Sequence, residues 1–168
     1  MDEIIENKLW LGNYSSALGT QILKEKGINK VITVTDFSEG IKYDENINHK
    51  KFSIDDSPKE NIIQYFDDCL NFIKEEGKIL VHCMAGVSRS ASIVIAYLMW
   101  TKKLEFKQAL AEVREKRPLV GPNIGFEKQL QMFEKLLKEN NYEIEKIKFK
   151  DIKWEPTEEN LKEWGWWF

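Results

Sequence analysis

The stretch Val81-His82-Cys83-Met84-Ala85-Gly86-Val87-Ser88-Arg89-Ser90-Ala91-Ser92 constrains this chain more than any other. Ahead of it, Lys78-Ile79-Leu80 is a short apolar run that reads as a buried strand. Behind it, Ile93-Val94-Ile95-Ala96-Tyr97-Leu98-Met99-Trp100 is long and apolar enough for a buried helix. A cysteine at a strand end, a glycine-bearing loop and an arginine entering a helix together make an anion trap. Loop N–H groups and the positive end of the helix dipole converge on one point. Arg89, six residues after the cysteine, can aim its two-pronged guanidinium at the same point. Such a site binds a phosphate-like dianion and holds a thiolate beneath it.

These residues match His-Cys-x-x-Gly-x-x-Arg-Ser, and here the chain resembles the cysteine-dependent protein phosphatases. The closer likeness is to the small dual-specificity branch, whose loops read much like Cys83 to Ser90; it runs from about Leu9 to about Lys138. The resemblance implies Cys83 as nucleophile, Arg89 as the clamp on the phosphoryl oxygens, and a loop of Met84, Ala85, Gly86, Val87 and Ser88 around the phosphate. It implies that His82 holds the loop by hydrogen bonding. Ser90 would assist departure of the sulfur when the phosphoenzyme is hydrolysed. The chemistry agrees: phosphoryl transfer to sulfur needs a thiolate, and an ordinary thiol with a pKa of about 8.5 is mostly protonated in a cell. The bland readings are a buried structural cysteine for Cys83 and a helix cap for Ser90. An arginine with no anion at a helix start is electrostatically odd.

The leaving hydroxyl needs a proton from a group outside the loop. Asp55-Asp56-Ser57-Pro58 offers two candidates in a turn. In related enzymes the acid sits on a loop at this place; the spacing to Asn61-Ile62 favours Asp56, with Asp55 the competitor. Gly121-Pro122-Asn123-Ile124-Gly125-Phe126 resembles a family segment whose asparagine braces the phosphate loop, which makes Asn123 a supporting candidate; on composition it is equally a turn residue starting a helix. Cys69 lies on an amphipathic face and reads as a core residue rather than a disulfide partner for Cys83.

At 168 residues the chain suits one domain. Strands at Lys8–Gly12, Ile28–Val34 and Lys50–Ile54 alternate with helical patterns. The expected helices run from Ser15 to Gly27, Asn61 to Glu76, Glu105 to Lys116 and Ile124 to Glu139, with Asp36–Asn48 a surface loop. The first should turn Ala17, Leu18, Ile22 and Leu23 inward. This order predicts an α/β class, a mainly parallel central sheet flanked by helices in a phosphatase-like sandwich.

The expected division is a catalytic domain over 1–145 and a tryptophan-rich extension over 146–168, packed on it. There, Ile147–Phe149 and Ile152–Trp154 read as extended, and Thr157 can cap a short helix ended by Gly165. Trp154, Leu161 and Trp164 suit packing, whereas Trp166, Trp167 and Phe168 are equally suited to a partner.

A net charge of −3 points to neither nucleic acid nor an anionic membrane. The acidic start, Met1 to Glu6, is unlike a secretory leader, and no apolar run is long enough to span a membrane. Two cysteines make no disulfide framework, so a reducing cytoplasmic or nuclear setting is expected. His49 and His82 lack metal-site spacing, and no metal or other cofactor is expected. The expected substrate is a protein phosphorylated on tyrosine, serine or threonine. A lipid, nucleic-acid end or glycan is the alternative, made less favourable by a loop without Lys or Arg at Met84, Ala85, Val87 and Ser88. A phosphate-binding module without turnover is the third reading; intact Cys83, Arg89 and Ser90 speak against it.

Overall fold

The computed structural model describes residues 1–36 and 41–166. The part of the expected Asp36–Asn48 loop at 37–40, and Trp167 and Phe168, lie outside the described residues. A five-stranded sheet has the order β1-β2-β5-β3-β4, built from β1 (Asp2–Ile5), β2 (Leu9–Gly12), β3 (Lys30–Val34), β4 (Asn48–Phe52) and β5 (Ile79–His82). Every pair is parallel except β1 with β2. Strand β5 is central and buried at all its positions, as its unbroken apolar run requires. Gly12 and Thr33 both pair with His82, so three parallel strands end side by side next to Cys83. Crevices at the carboxyl ends of such strands are the usual ligand site of parallel sheets.

Helix α4 (Arg89–Thr101) leaves this edge and is buried without interruption from Ser90 to Met99. Around it pack α3 (Phe66–Lys74), α5 (Phe106–Lys116) and α6 (Ile124–Glu139). Phe66 is the hub of one core layer, edge-on to Phe133 at 5.1 Å and to Phe149 at 6.5 Å. Such aromatic pairs contribute about 1 kcal/mol each beyond the area they bury. Among the described residues no helix is long and apolar enough to cross a membrane.

Several expectations need correction. The acidic start, to which the sequence pattern assigns no element, is strand β1; four residues with two carboxylates carry too little alternation to be read as an edge strand. The helix expected from Ser15 to Gly27 is two, α1 (Tyr14–Leu18) and α2 (Thr20–Glu25), broken at Gly19. Asn13 rather than a serine caps α1, accepting from the Ser16 N–H at 3.0 Å. Because the axis breaks, only Ala17 and Leu23 are buried, whereas Leu18 and Ile22 stay about half exposed (48% and 49%). The expected Asn61–Glu76 helix opens as a 3-10 turn over Ile63–Tyr65, because Gln129 Oε1 accepts the Ile62 and Ile63 N–H groups at 2.9 and 3.1 Å.

Of the pieces read as extended, Ile147–Phe149 is extended at Ile147, but Phe149 opens a 3-10 turn over Phe149–Asp151. A second such turn over Ile144–Lys146 precedes it, and Ile152, which starts the other piece, is extended. Phe149 is thereby buried in the core. Thr157 caps α7 (Glu158–Glu163), accepting from the Asn160 N–H at 3.0 Å. Leu161 is buried, and Trp154 stacks on Trp164 with centroids 6.0 Å apart and planes 9° from parallel.

Candidate active site

Cys83 follows the last residue of β5 and is almost wholly buried. Its Sγ accepts from the Gly86 N–H at 3.2 Å and lies 3.0 Å from Ser90 Oγ. Ser90 is in the first turn of α4 and Arg89 is its first residue, so the short loop carries the chain from sulfur to helix N-terminus. Both polar neighbours can donate to a negatively charged sulfur.

What turns this loop into a cradle is the fate of its carbonyls. Cys83 O accepts from His82 Nδ1 at 3.1 Å, and Met84 O from the Tyr14 N–H at 3.0 Å. Arg117 takes the next two, with Nη2 to Ala85 O at 3.2 Å and Nε to Gly86 O at 2.9 Å. Val87 O accepts from the Gly121 N–H at 2.9 Å, and Ser88 O from Ser92 Oγ at 2.7 Å. Every carbonyl from Cys83 to Ser88 is thus engaged by the surrounding protein. The N–H groups of Met84, Ala85, Val87 and Ser88 have no hydrogen-bond partner among the described residues. A ring of unpaired amides at a helix N-terminus is a nest for an anion.

Gly86 lets the loop close. Its φ is +68°, and a Cβ there would stand 2.6 Å from both Gly12 O and Arg117 Nη2. Met84 and Ala85 are exposed, Val87 is half-buried and Ser88 is buried.

Arg89 is tethered at one prong, with Nη1 donating to Thr35 Oγ1 at 3.2 Å and Ile54 O at 3.1 Å. Asp36 Oδ1 lies 3.8 Å from the same nitrogen. Arg89 Nε is buried and has no partner among the described residues. An orphaned buried donor of this kind is costly unless an anion accepts from it.

His82 is buried, and burial pushes its pKa down to about 4 against the raising effect of its bond to Cys83 O. It is therefore neutral near pH 7, and a carbonyl partner requires the hydrogen on Nδ1. Its Nε2 then accepts from Thr33 Oγ1 at 2.7 Å, and Thr33 Oγ1 in turn accepts from His49 Nε2 at 2.8 Å. The chain of bonds fixes the ring and, through Cys83 O, the start of the loop. Cys69 sits in the core with its thiol pKa pushed up by burial, and both cysteines are free.

Asn123 joins two parts of the site. Its N–H donates to Ser88 Oγ at 2.8 Å, and its Nδ2 donates to Asp56 Oδ1 at 2.9 Å. Its own Oδ1 caps α6 by accepting from the Phe126 N–H at 2.9 Å. Asp56 is exposed yet held one residue away from the loop. Asp55 is exposed too, and its charge acts on Glu60, whose pKa is raised first by burial and then by Asp55.

Arg117 escaped the sequence reading. It ends α5, where a cation ordinarily needs no explanation beyond the helix dipole, and only the folded chain brings it under the loop. Side-chain exposure is 9%, and Asp2 Oδ2 pairs with Nη1 at 2.8 Å. Arg117→Lys keeps the charge but cannot span two carbonyls and Asp2 together. Competitive inhibition by inorganic phosphate is expected to weaken roughly tenfold, the cost of one charged hydrogen bond. An unchanged inhibition constant would remove Arg117 from the account.

The comparisons with known proteins agree with this geometry. The family described as dual specificity phosphatase, catalytic domain, matches residues 9–136. Dual specificity protein phosphatase 1 of Arabidopsis thaliana is 38% identical over 136 residues, covering 79% of this chain and 68% of that protein. Dual specificity protein phosphatase 19 of Mus musculus is 37% identical over 135 residues, covering 78% of this chain and 61% of that protein. The chain thus spans about two thirds of these two relatives, and 34% of the Drosophila melanogaster relative Mpk3. Among solved structures, the human tyrosine phosphatase-like serine/threonine/tyrosine-interacting protein superposes with a TM-score of 0.75 at 37% identity, covering 82% of this chain and 97% of that one. With the family matched over most of its length and the α/β sheet in place, this chain belongs to the dual specificity phosphatase family.

Proposed function

We propose that the protein is a cysteine-dependent phosphatase that hydrolyses phosphotyrosine and phosphoserine or phosphothreonine in proteins through a phosphocysteine intermediate. The observation that carries this reading is the loop from Cys83 to Ser88, with its carbonyls engaged from behind and its amides unpaired around a buried sulfur. Those amides and Arg89 Nε would bind the phosphoryl oxygens. They would strengthen as charge spreads in transfer. Cys83 Sγ attacks phosphorus and the phosphorus–oxygen ester bond breaks. The departing alkoxide or phenoxide takes a proton from Asp56. Water then attacks the phosphocysteine and gives a proton to the same carboxylate, and the sulfur leaves as a thiolate assisted by the Ser90 hydroxyl. Inorganic phosphate is the product, and no step needs a metal or cofactor.

The link from Asn123 supports Asp56 as the acid, because it tethers that carboxylate to the loop. Asp56→Asn should slow hydrolysis of a phosphothreonine peptide by roughly 10²-fold. An aryl phosphate with a good leaving group should be nearly unaffected. If Asp55→Asn has this signature instead, the acid is Asp55. A reducing cytoplasmic or nuclear setting suits a thiolate enzyme.

The test is steady-state turnover of matched phosphotyrosine, phosphothreonine and phosphoserine peptides. Cleavage of aromatic and aliphatic esters supports the reading, whereas cleavage of a small aryl phosphate with every peptide refused would move a lipid or glycan substrate to the front. A folded protein that binds phosphate and cleaves nothing would be a binding module.

A further inference from the structure

We infer that the tryptophan-rich C-terminal extension is a clasp on the Asp55–Lys59 loop, with Trp154 a positioning residue for Asp56. This rests on the reading of Asp56 as the proton donor. The loop is gripped from two sides. On the first, Asn123 bonds Asp56, and Gln129 Nε2 donates to Glu60 O at 2.9 Å. Gly125 lies so close to Pro58 that a Cβ would collide with the proline carbonyl. On the second side stands the extension. The indole N–H of Trp154 donates to that same Pro58 carbonyl at 2.7 Å. Asn61 Nδ2, just beyond the loop, donates to Ile152 O at 2.9 Å, and the Lys59 ammonium lies 5.0 Å over the Trp166 ring.

The clasp is itself anchored. Trp164 stacks on Trp154, Leu161 is the buried residue of α7, and Phe149 reaches into the Phe66–Phe133 core. Pro58, which meets Gly125 of α6 and Trp154, is buried although it follows two exposed aspartates by only two residues. The α6 contacts come from the catalytic domain, but the Trp154 bond comes from a chain segment outside the residues 9–136 that match the family. A general acid held within a narrow range of positions donates its proton with less reorganisation, and a misplacement of about 1 Å costs up to 10²-fold.

The test compares Trp154→Phe, Trp154→Ala and Asp56→Asn in the full chain, using aryl phosphates of graded leaving-group pKa and a phosphothreonine peptide. Trp154→Phe keeps a ring for Trp164 but loses the N–H. It is expected to lower kcat on the peptide about threefold and Trp154→Ala about tenfold, with KM and the best aryl leaving group nearly unchanged. Amide exchange across residues 55–60 should accelerate in both variants while the buried turns of α4 keep their protection, which reads the clasp even if Trp154→Ala lowers the melting temperature. Equal losses on all leaving groups, or unchanged exchange at 55–60, would overturn the clasp while Asp56→Asn still shows the steepened dependence. If Asp56→Asn shows no steepening, the acid assignment fails first and the clasp with it.

Discussion

Cys83→Ser is expected to reduce turnover of every substrate by roughly 10⁵-fold or more while leaving competition by inorganic phosphate within a fewfold of wild type. The loss is this large because one atom does two jobs: it attacks phosphorus, and it must leave again as a stable anion. A serine alkoxide is a far stronger base than a thiolate, and His82 is not placed to take its proton, since it points Nδ1 at Cys83 O and Nε2 at Thr33. Binding should survive because the anion's partners are amides of Met84, Ala85, Val87 and Ser88, held by carbonyl bonds that do not involve the sulfur. Turnover on an aryl phosphate and a phosphate inhibition constant measured on residual or displacement signal decide the matter together.

Arg89→Lys carries the second largest effect, a fall in kcat of about 10³-fold with a weaker KM. The guanidinium is already committed at one end, where Nη1 bonds Thr35 Oγ1 and Ile54 O. It therefore offers its remaining donors in a fixed orientation, with Nε buried and without a partner among the described residues. Lysine has one nitrogen, which can keep the tether or reach the phosphate but cannot do both. An aryl phosphate is the right substrate because its departure hardly depends on Asp56. Retention of more than a tenth of wild-type kcat would mean that the loop amides alone stabilise the transferring group. A thermal melt guards against misfolding, since the side chain contributes to packing as well as charge.

The grouping of Cys83, its loop and Arg89 at one strand end and helix start was legible because that pattern is written locally. Strand, loop and helix follow one another in a dozen residues, and each residue type is required by the one before it. Helix α6 was equally clear, with apolar periodicity that gives Ile124–Glu139 at both ends. Long-range bonds were not legible. Asn123 reaches Asp56 across 67 positions, and Arg117 reaches Gly86 across 31. Neither partnership leaves a mark on spacing or composition, although the resemblance pointed at Asn123 as a brace. Its backbone N–H bonds Ser88, and its side chain bonds Asp56.

Local errors also have physical causes. A single glycine at 19 was absorbed into a helical pattern, yet its φ of −76° and ψ of 61° break the axis. The C-terminal 3-10 turns are three residues each, too short for any periodicity. Spacing alone favoured packing for Trp154, Leu161 and Trp164 and left Trp166, Trp167 and Phe168 open, without saying what the first three pack against. Only the fold brings Trp154 to Pro58 and so connects the extension to the aspartate loop.

The central claim is that the phosphoryl group passes through the sulfur of Cys83, and rapid acid quench followed by peptide mass analysis tests it most directly. Ser90→Ala is the useful background, because losing the hydroxyl 3.0 Å from the sulfur should slow hydrolysis of the intermediate more than its formation. The prediction is a peptide carrying Cys83 heavier by one phosphoryl group in the first turnover, decaying as inorganic phosphate appears. A burst of alcohol product with no phosphate on Cys83, or with phosphate on another side chain, would contradict it.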